Sequence, residues 1–138
     1  REIGHGQSGV APPDVIVSAW TFGEAAAVPG TQAAIQLLPL LRPDAERVAI
    51  VSPSYGEYEQ SFRRAGIKVE RVATLDAAAP NRAPIVVLAN PNNPDGRETV
   101  RDDVFGFIRS HRDRLVIIDE AFADLRQDLS MVGAAGME

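Results

Sequence analysis

The chain has 138 residues, 45% of them hydrophobic and 24% charged, with a formal net charge of −5; this is enough for one packed core and short for a two-domain enzyme. The acidic balance excludes the electrostatic footprint of a nucleic-acid or anionic-membrane binder, and no apolar run reaches the roughly 18–20 residues that span a bilayer. Cysteine is absent, which removes disulfides, thiolate nucleophiles and cysteine-ligated metals together.

Residues 1–13 are glycine-rich and polar, close on Pro12-Pro13 and read as an irregular entry. Asp14 to Trp20 reads as a strand, and Ala25 to Val28 as an apolar run ended by Pro29-Gly30. From Thr31, read as the N-cap, the apolar positions Ala34, Ile35, Leu37, Leu38 and Leu41 predict a helix that Pro39 kinks or ends. Arg47 to Ser52 reads as a buried strand, Tyr55 to Ala65 as an amphipathic helix stopped by Gly66, and Ile67 to Ala73 as a strand exposed on one face. Asp76 to Ala83 looks like a surface loop, and Ile85 to Ala89 is a continuous apolar strand. A helix beginning near Glu98 has Val104, Phe105, Phe107 and Ile108 on its inner face, before a last strand at Leu115 to Ile118. Strands alternating with helices imply an α/β fold, three layers αβα around a mainly parallel sheet. The chain reaches Glu138 without another strand to complete the layer, so it reads as part of a larger protein.

Four segments carry chemistry. Gly30 before a helix lets a backbone approach a ligand, and the N–H groups of Thr31 and Gln32 suit a phosphate; the plain alternative is a capped helix after a turn. Tyr55 sits between a strand end and a helix, where its ring can lie over a crevice and stack on an aromatic ligand, although for a lone tyrosine packing is the commoner role. Tyr58, three residues on, reads as a packing or solvent-facing residue. In Asn90-Pro91-Asn92-Asn93-Pro94-Asp95-Gly96 two prolines stiffen the turn and can aim Asn93 at a ligand hydroxyl. Asp119 ends an apolar strand, at the edge where open α/β sheets bind ligands, and a carboxylate there needs a cation or a donor. Two sharp roles are open to it, partner of a protonated ring nitrogen or holder of Mg²⁺ in an ATPase, beside a helix-capping or surface acid. The ATPase role needs a Gly-x-x-x-x-Gly-Lys-Ser/Thr loop, which is missing, and Lys68 is the only lysine. His5 and His111 lie far apart, so no metal is expected.

These segments occur in the order and rough spacing of the fold-type-I pyridoxal phosphate enzymes, and the chain resembles the class I/II aminotransferase superfamily in its histidinol-phosphate aminotransferase-like branch. Pro29 to Leu41 and Asn93-Pro94-Asp95-Gly96 look most like the threonine-phosphate decarboxylases of cobalamin biosynthesis. The resemblance implies a partial large domain over residues 25–138, with residues 1–24 a leader or rearranged segment. It implies pyridoxal 5′-phosphate as cofactor, its phosphate held by Gly30, Thr31 and Gln32, its ring stacked by Tyr55, its 3-oxygen bonded by Asn93 and its pyridinium nitrogen paired with Asp119. It further implies a small phosphorylated amino-acid substrate, decarboxylated or transaminated, in a homodimer. The acidic balance and the lack of a spanning run or a signal-like apolar segment after Arg1 make a cytoplasmic location, with no nucleic-acid or membrane partner, the expectation. A non-catalytic phosphate- or nucleotide-binding α/β module is the competing reading. Phe122 stands where many aminotransferases have a tyrosine, and Asp95 where most have threonine. The family's Schiff-base lysine lies beyond the position where this sequence stops, and the chain by itself is expected to be inert.

Overall fold

The computed structural model describes residues 29–131. The readings made for residues 1–24, for Ala25 to Val28 and for the stretch after Met131 lie outside the described residues.

β1 (Arg47–Val51), β3 (Ile85–Ala89) and β4 (Leu115–Asp119) form where β-branched and other apolar residues run together, while β2 (Lys68–Val72) sets two valines among Lys68, Glu70 and Arg71 and is more exposed. All pair in parallel in the spatial order β2-β1-β3-β4. Parallel neighbours need crossover connections; α1 (Thr31–Leu37), α2 (Gly56–Arg64) and α3 (Arg101–Ser110) fill the layers on either side.

Side-chain alternation along each strand divides the core in two. Val48, Ile50, Ile85, Val87 and Ile117 point to the face covered by Ile35, Leu38, Tyr58 and Phe62. Ala49, Val51, Val86, Leu88, Val116 and Ile118 point to the opposite face, against Val104 and Phe107 of α3. The three-layer αβα arrangement with a parallel sheet is the one that the apolar runs predict.

Several boundaries differ from the sequence reading, each for a local reason. The N-cap of α1 is Gly30 at φ 95°, with Thr31 its first helical residue. The α-helical ladder stops at Leu37 and continues as a 3-10 turn over Leu38–Leu41, because Pro39 has no N–H to give. Tyr55 caps α2 from an extended conformation instead of opening it. Gly66, at φ 79°, ends that helix with Ile67 N–H donating to the Phe62 carbonyl at 2.9 Å. Helix α3 starts at Arg101, three residues later than the reading from Glu98.

The segment predicted as a surface loop, Asp76 to Ala83, is the main departure. It holds a 3-10 turn at Asp76–Ala78, and Ala78 and Ala83 are fully buried beside Val86 and Phe107. Alanine side chains small enough to let the backbone lie on the sheet explain the burial. The Arg114 guanidinium pins the turn by donating to the Ala78 and Ala79 carbonyls at 2.7 and 2.6 Å.

The order in which strands are added reverses at β1: β2 lies on one side of it, and the strands that follow lie on the other. At such a switch point the carboxyl ends of the two strands lead away to opposite faces and leave a crevice between them.

Candidate active site

A cleft of about 410 Å³ opens at that crevice, lined by Thr31, Tyr55, Tyr58, Ala89, Pro91, Asn93, Asp119, Ala121 and Phe122. Its floor follows from strand parity. Ala89 shares its face with Ile85 and Val87, and Asp119 with Ile117, so both last residues turn toward the α1/α2 side.

Asp119 is buried, with 8% of its surface exposed. Its Oδ1 accepts the Ala121 N–H at 2.9 Å, its Oδ2 accepts the hydroxyl of Tyr58, and its carbonyl accepts the Asn90 N–H at 2.8 Å. An ionised carboxylate has about four acceptor positions; two are taken, and the remainder can serve a donor in the cleft. Burial, then the adjacent Asp119 carboxylate, push the Tyr58 phenol far above its ordinary value, so the shared proton belongs to tyrosine. Tyr55 meets Tyr58 edge-on with ring centroids 6.1 Å apart and is itself 39% exposed, a ring available to a ligand on its free side.

Within the asparagine loop the three amides do different work. Asn90 is buried and ties the loop back on itself, its Nδ2 donating to the Thr99 carbonyl at 2.7 Å and its Oδ1 accepting the Thr99 N–H at 2.9 Å. Asn92 donates to the Pro53 carbonyl at 2.8 Å and to Asp95 Oδ1 at 2.7 Å, joining this loop to the one that carries Tyr55. Asp95 also accepts the Arg97 N–H at 3.0 Å. The Asn92 amide, then the Arg97 N–H, hold the Asp95 carboxyl below its ordinary range. Asn93 lines the cleft and bonds to none of the described residues.

Thr31, Tyr55, Asn93 and Asp119, four of the six residues singled out from sequence, thus share one cavity. Gly30 and Gln32 flank Thr31 at the start of α1 but are not part of the cleft wall, and Gln32 faces solvent. Gly30 has no side chain to cap the first-turn N–H groups. Phe122 stands at the mouth, 62% exposed. Lys68 is far from all of them in the fold: it opens β2, paired with Arg47 at the amino edge of the sheet. The packing read for Tyr58 holds, since it is buried in the core, but the bond from its hydroxyl to Asp119 was missed, although its place one helical turn after Tyr55 and the parity of Asp119 are both visible in the chain. It also left the Asn92–Asp95 pair unassigned.

Fold and cleft together define an open α/β domain that presents a carboxylate, an amide and aromatic rings at its ligand-binding edge. Residues 23–135 match the family described as aminotransferase class I and II, and the chain belongs to that family. A threonine-phosphate decarboxylase from Sinorhizobium sp is 43% identical over 110 residues, which cover 78% of this chain and 33% of that protein. Among solved structures, L-threonine-O-3-phosphate decarboxylase from Porphyromonas gingivalis matches with a TM-score of 0.52 at 27% identity, covering 63% of this chain and 29% of that one. Histidinol-phosphate aminotransferase from Sinorhizobium meliloti, in complex with pyridoxal-5′-phosphate, matches with a TM-score of 0.59 at 25% identity, covering 71% and 30%. The chain therefore spans about a third of the length of the curated relatives it matches. Pyridoxal 5′-phosphate is the cofactor of this family, and the donor set fits it: a buried carboxylate with acceptor capacity to spare, an unbonded amide and an aromatic face border one open cavity.

Proposed function

We propose that the whole protein is a pyridoxal-phosphate-dependent decarboxylase of the threonine-phosphate type, and that this chain supplies the part of its large domain that holds the cofactor ring. The observation that carries the reading is Asp119, buried at the end of β4 with two donors of its own and an open face on the cleft. When bound, the cofactor supplies an electron sink for the pair released as a bond to the substrate Cα breaks. Asp119 keeps a proton on the ring nitrogen, Asn93 offers its amide to the ring 3-oxygen, and Tyr55 covers the ring. Gly30, Thr31 and Gln32 receive the phosphate at the start of α1, a role that the family likeness supports. With Phe122 in place of tyrosine, Asn93 is the side chain left to bond the 3-oxygen from this part of the chain. Likeness to the decarboxylases favours a phosphorylated amino acid as substrate and carbon dioxide as product. The family likeness favours a homodimer, and a cytoplasmic setting completes the proposal.

The lone lysine at the opposite sheet edge favours a second statement about the 138 residues taken alone: they bind the cofactor without anchoring it covalently. The test is to titrate the chain with pyridoxamine phosphate and, separately, to incubate it with pyridoxal phosphate and O-phosphothreonine. Binding that Asp119→Ala weakens at least tenfold, with no carbon dioxide beyond the free-cofactor rate, is expected. Turnover by this chain, or binding indifferent to Asp119→Ala, sinks the reading. Product analysis of the complete protein then separates carbon dioxide release from a keto-acid product, the mark of an aminotransferase.

A further inference from the structure

Tyr58 belongs to neither the phosphate end of the cleft nor the ring face, yet its hydroxyl is spent on Asp119. Its ring is 2% exposed and packs in the core with Ile35, Phe62 and Val87. A phenylalanine would fill that space as well, so hydrophobic packing does not account for the hydroxyl. We infer that Tyr58 is a positioning residue, which donates to Asp119 Oδ2 so that the proton shared between Asp119 and the cofactor's ring nitrogen resides on nitrogen. The inference rests on the cofactor reading above.

Two sites compete for the shared proton. A carboxylate facing a pyridine nitrogen in a buried place has two neutral-sum arrangements, carboxylate with pyridinium or carboxylic acid with pyridine. Two donors converge on this carboxylate, the Tyr58 hydroxyl and the Ala121 N–H, and hydrogen bonds to the charged form favour it over the acid. Both bonds are made to oxygens of the unprotonated carboxylate, an arrangement that matches a ring carrying the proton. Burial and the neighbouring carboxylate hold the Tyr58 phenol protonated, so the hydroxyl stays a donor over the working pH range. The titratable side chains around the pair are few. Tyr55 faces Tyr58 edge-on from the cap of α2, and Glu120 is turned away onto Ser130 and the Met131 N–H. Asn93, Thr31 and Phe122, which complete this side of the cleft, carry no charge.

The test uses pyridoxamine 5′-phosphate labelled with ¹⁵N in the ring, bound to the full 138-residue chain and to Tyr58→Phe. The bound resonance is expected at the pyridinium position in the parent chain and displaced toward neutral pyridine in Tyr58→Phe, with urea unfolding showing both chains folded. Binding with the same resonance in both overturns the role of Tyr58 and leaves the cofactor site standing. Failure of the parent chain to bind overturns the cofactor reading and this inference with it. A cofactor-free measurement covers the case in which Tyr58→Phe does not fold. Tyr55→Phe leaves Tyr58 as the single tyrosine, because the chain has two. Its phenol is expected to titrate above the ordinary tyrosine value, and to titrate lower once Asp119→Asn is added. Equal titration with and without Asp119→Asn overturns the coupling.

Discussion

Replacing Asn90 or Asn93 by alanine removes the same side chain from two places on one loop, and the structure assigns the two changes different consequences. Asn90 is 1% exposed and exchanges two hydrogen bonds with the Thr99 backbone, at 2.7 and 2.9 Å. Each such bond contributes about 0.5–1.5 kcal/mol, and leaving the Thr99 N–H and carbonyl without protein partners in a partly buried place adds about 1 kcal/mol, so Asn90→Ala costs about 2–4 kcal/mol. Asn93 is half-buried and bonds to none of the described residues, so Asn93→Ala changes stability by less than about 0.5 kcal/mol. Its effect falls on the ligand: one lost hydrogen bond weakens pyridoxamine phosphate binding by about five- to tenfold. Urea unfolding followed by far-UV circular dichroism, with the slope m unchanged, reads the first quantity, and equilibrium dialysis the second. Comparable destabilisation by both variants, or an Asn90→Ala cost under about 0.5 kcal/mol, refutes the division of labour.

Phe62, with none of its surface exposed, plugs the α2 face of the sheet, and Phe62→Ala lowers stability by about 3–5 kcal/mol in the same unfolding assay; a loss under about 1 kcal/mol contradicts the packing. Asp95 sets a pH limit on the asparagine loop. The Asn92 amide and then the Arg97 N–H depress its folded-state pKa, so its stabilising effect is complete above the ordinary carboxyl value of 3.8 and fades as pH falls through the lower folded value. The Arg97 amide resonance therefore titrates with a midpoint below 3.8, and Asp95→Asn abolishes that step. A midpoint at or above 3.8 rules out this effect of Asp95 on the loop.

Much of the fold was legible because strand and helix periods are carried by single residues. The apolar runs at Arg47 to Val51, Ile85 to Ala89 and Leu115 to Ile118 became strands within a residue of their predicted ends, and Gly66 stopped α2 where its left-handed backbone is required. Misreadings gathered where a residue's partner is distant in sequence. Nothing local says that Ala78 and Ala83 pack in one cluster with Val104 and Phe107 of α3, or that Arg114 reaches back 36 residues to the Ala78 carbonyl. The reach of Asn92 to Pro53, 39 residues earlier, is equally invisible to a local pattern. It ties the two loops that carry Asn93 and Tyr55, so both predicted ligand residues are positioned by a contact that neither predicts.

The neighbouring acids Asp119 and Glu120 show how far strand parity alone can go. Asp119 has the parity of Ile117 and turns to the face of Tyr58 and Phe62, where it meets the Tyr58 hydroxyl and the cleft. Glu120 has the parity of Val116 and Ile118 and turns to the other face, where it accepts the Ser130 hydroxyl at 2.7 Å and the Met131 N–H at 2.5 Å. Met131 is buried in the cluster that contains Ile118. One acid is thus presented to a ligand while the next anchors the chain that leaves the sheet, though both are buried and carry the same group. Composition gives no means of telling them apart. The two-residue period of the strand does, and Ala121 completes the separation: its N–H folds back onto Asp119 Oδ1 and leaves Glu120 free of that role. A one-residue slip of β4 against β3, whose present register sets Ala89 opposite Asp119, would exchange the two acids and leave the cleft without its carboxylate in this position. The same slip would turn Ile117 away from Phe62 and Val87, so the packing of the α2 face and the placement of Asp119 are enforced by one register.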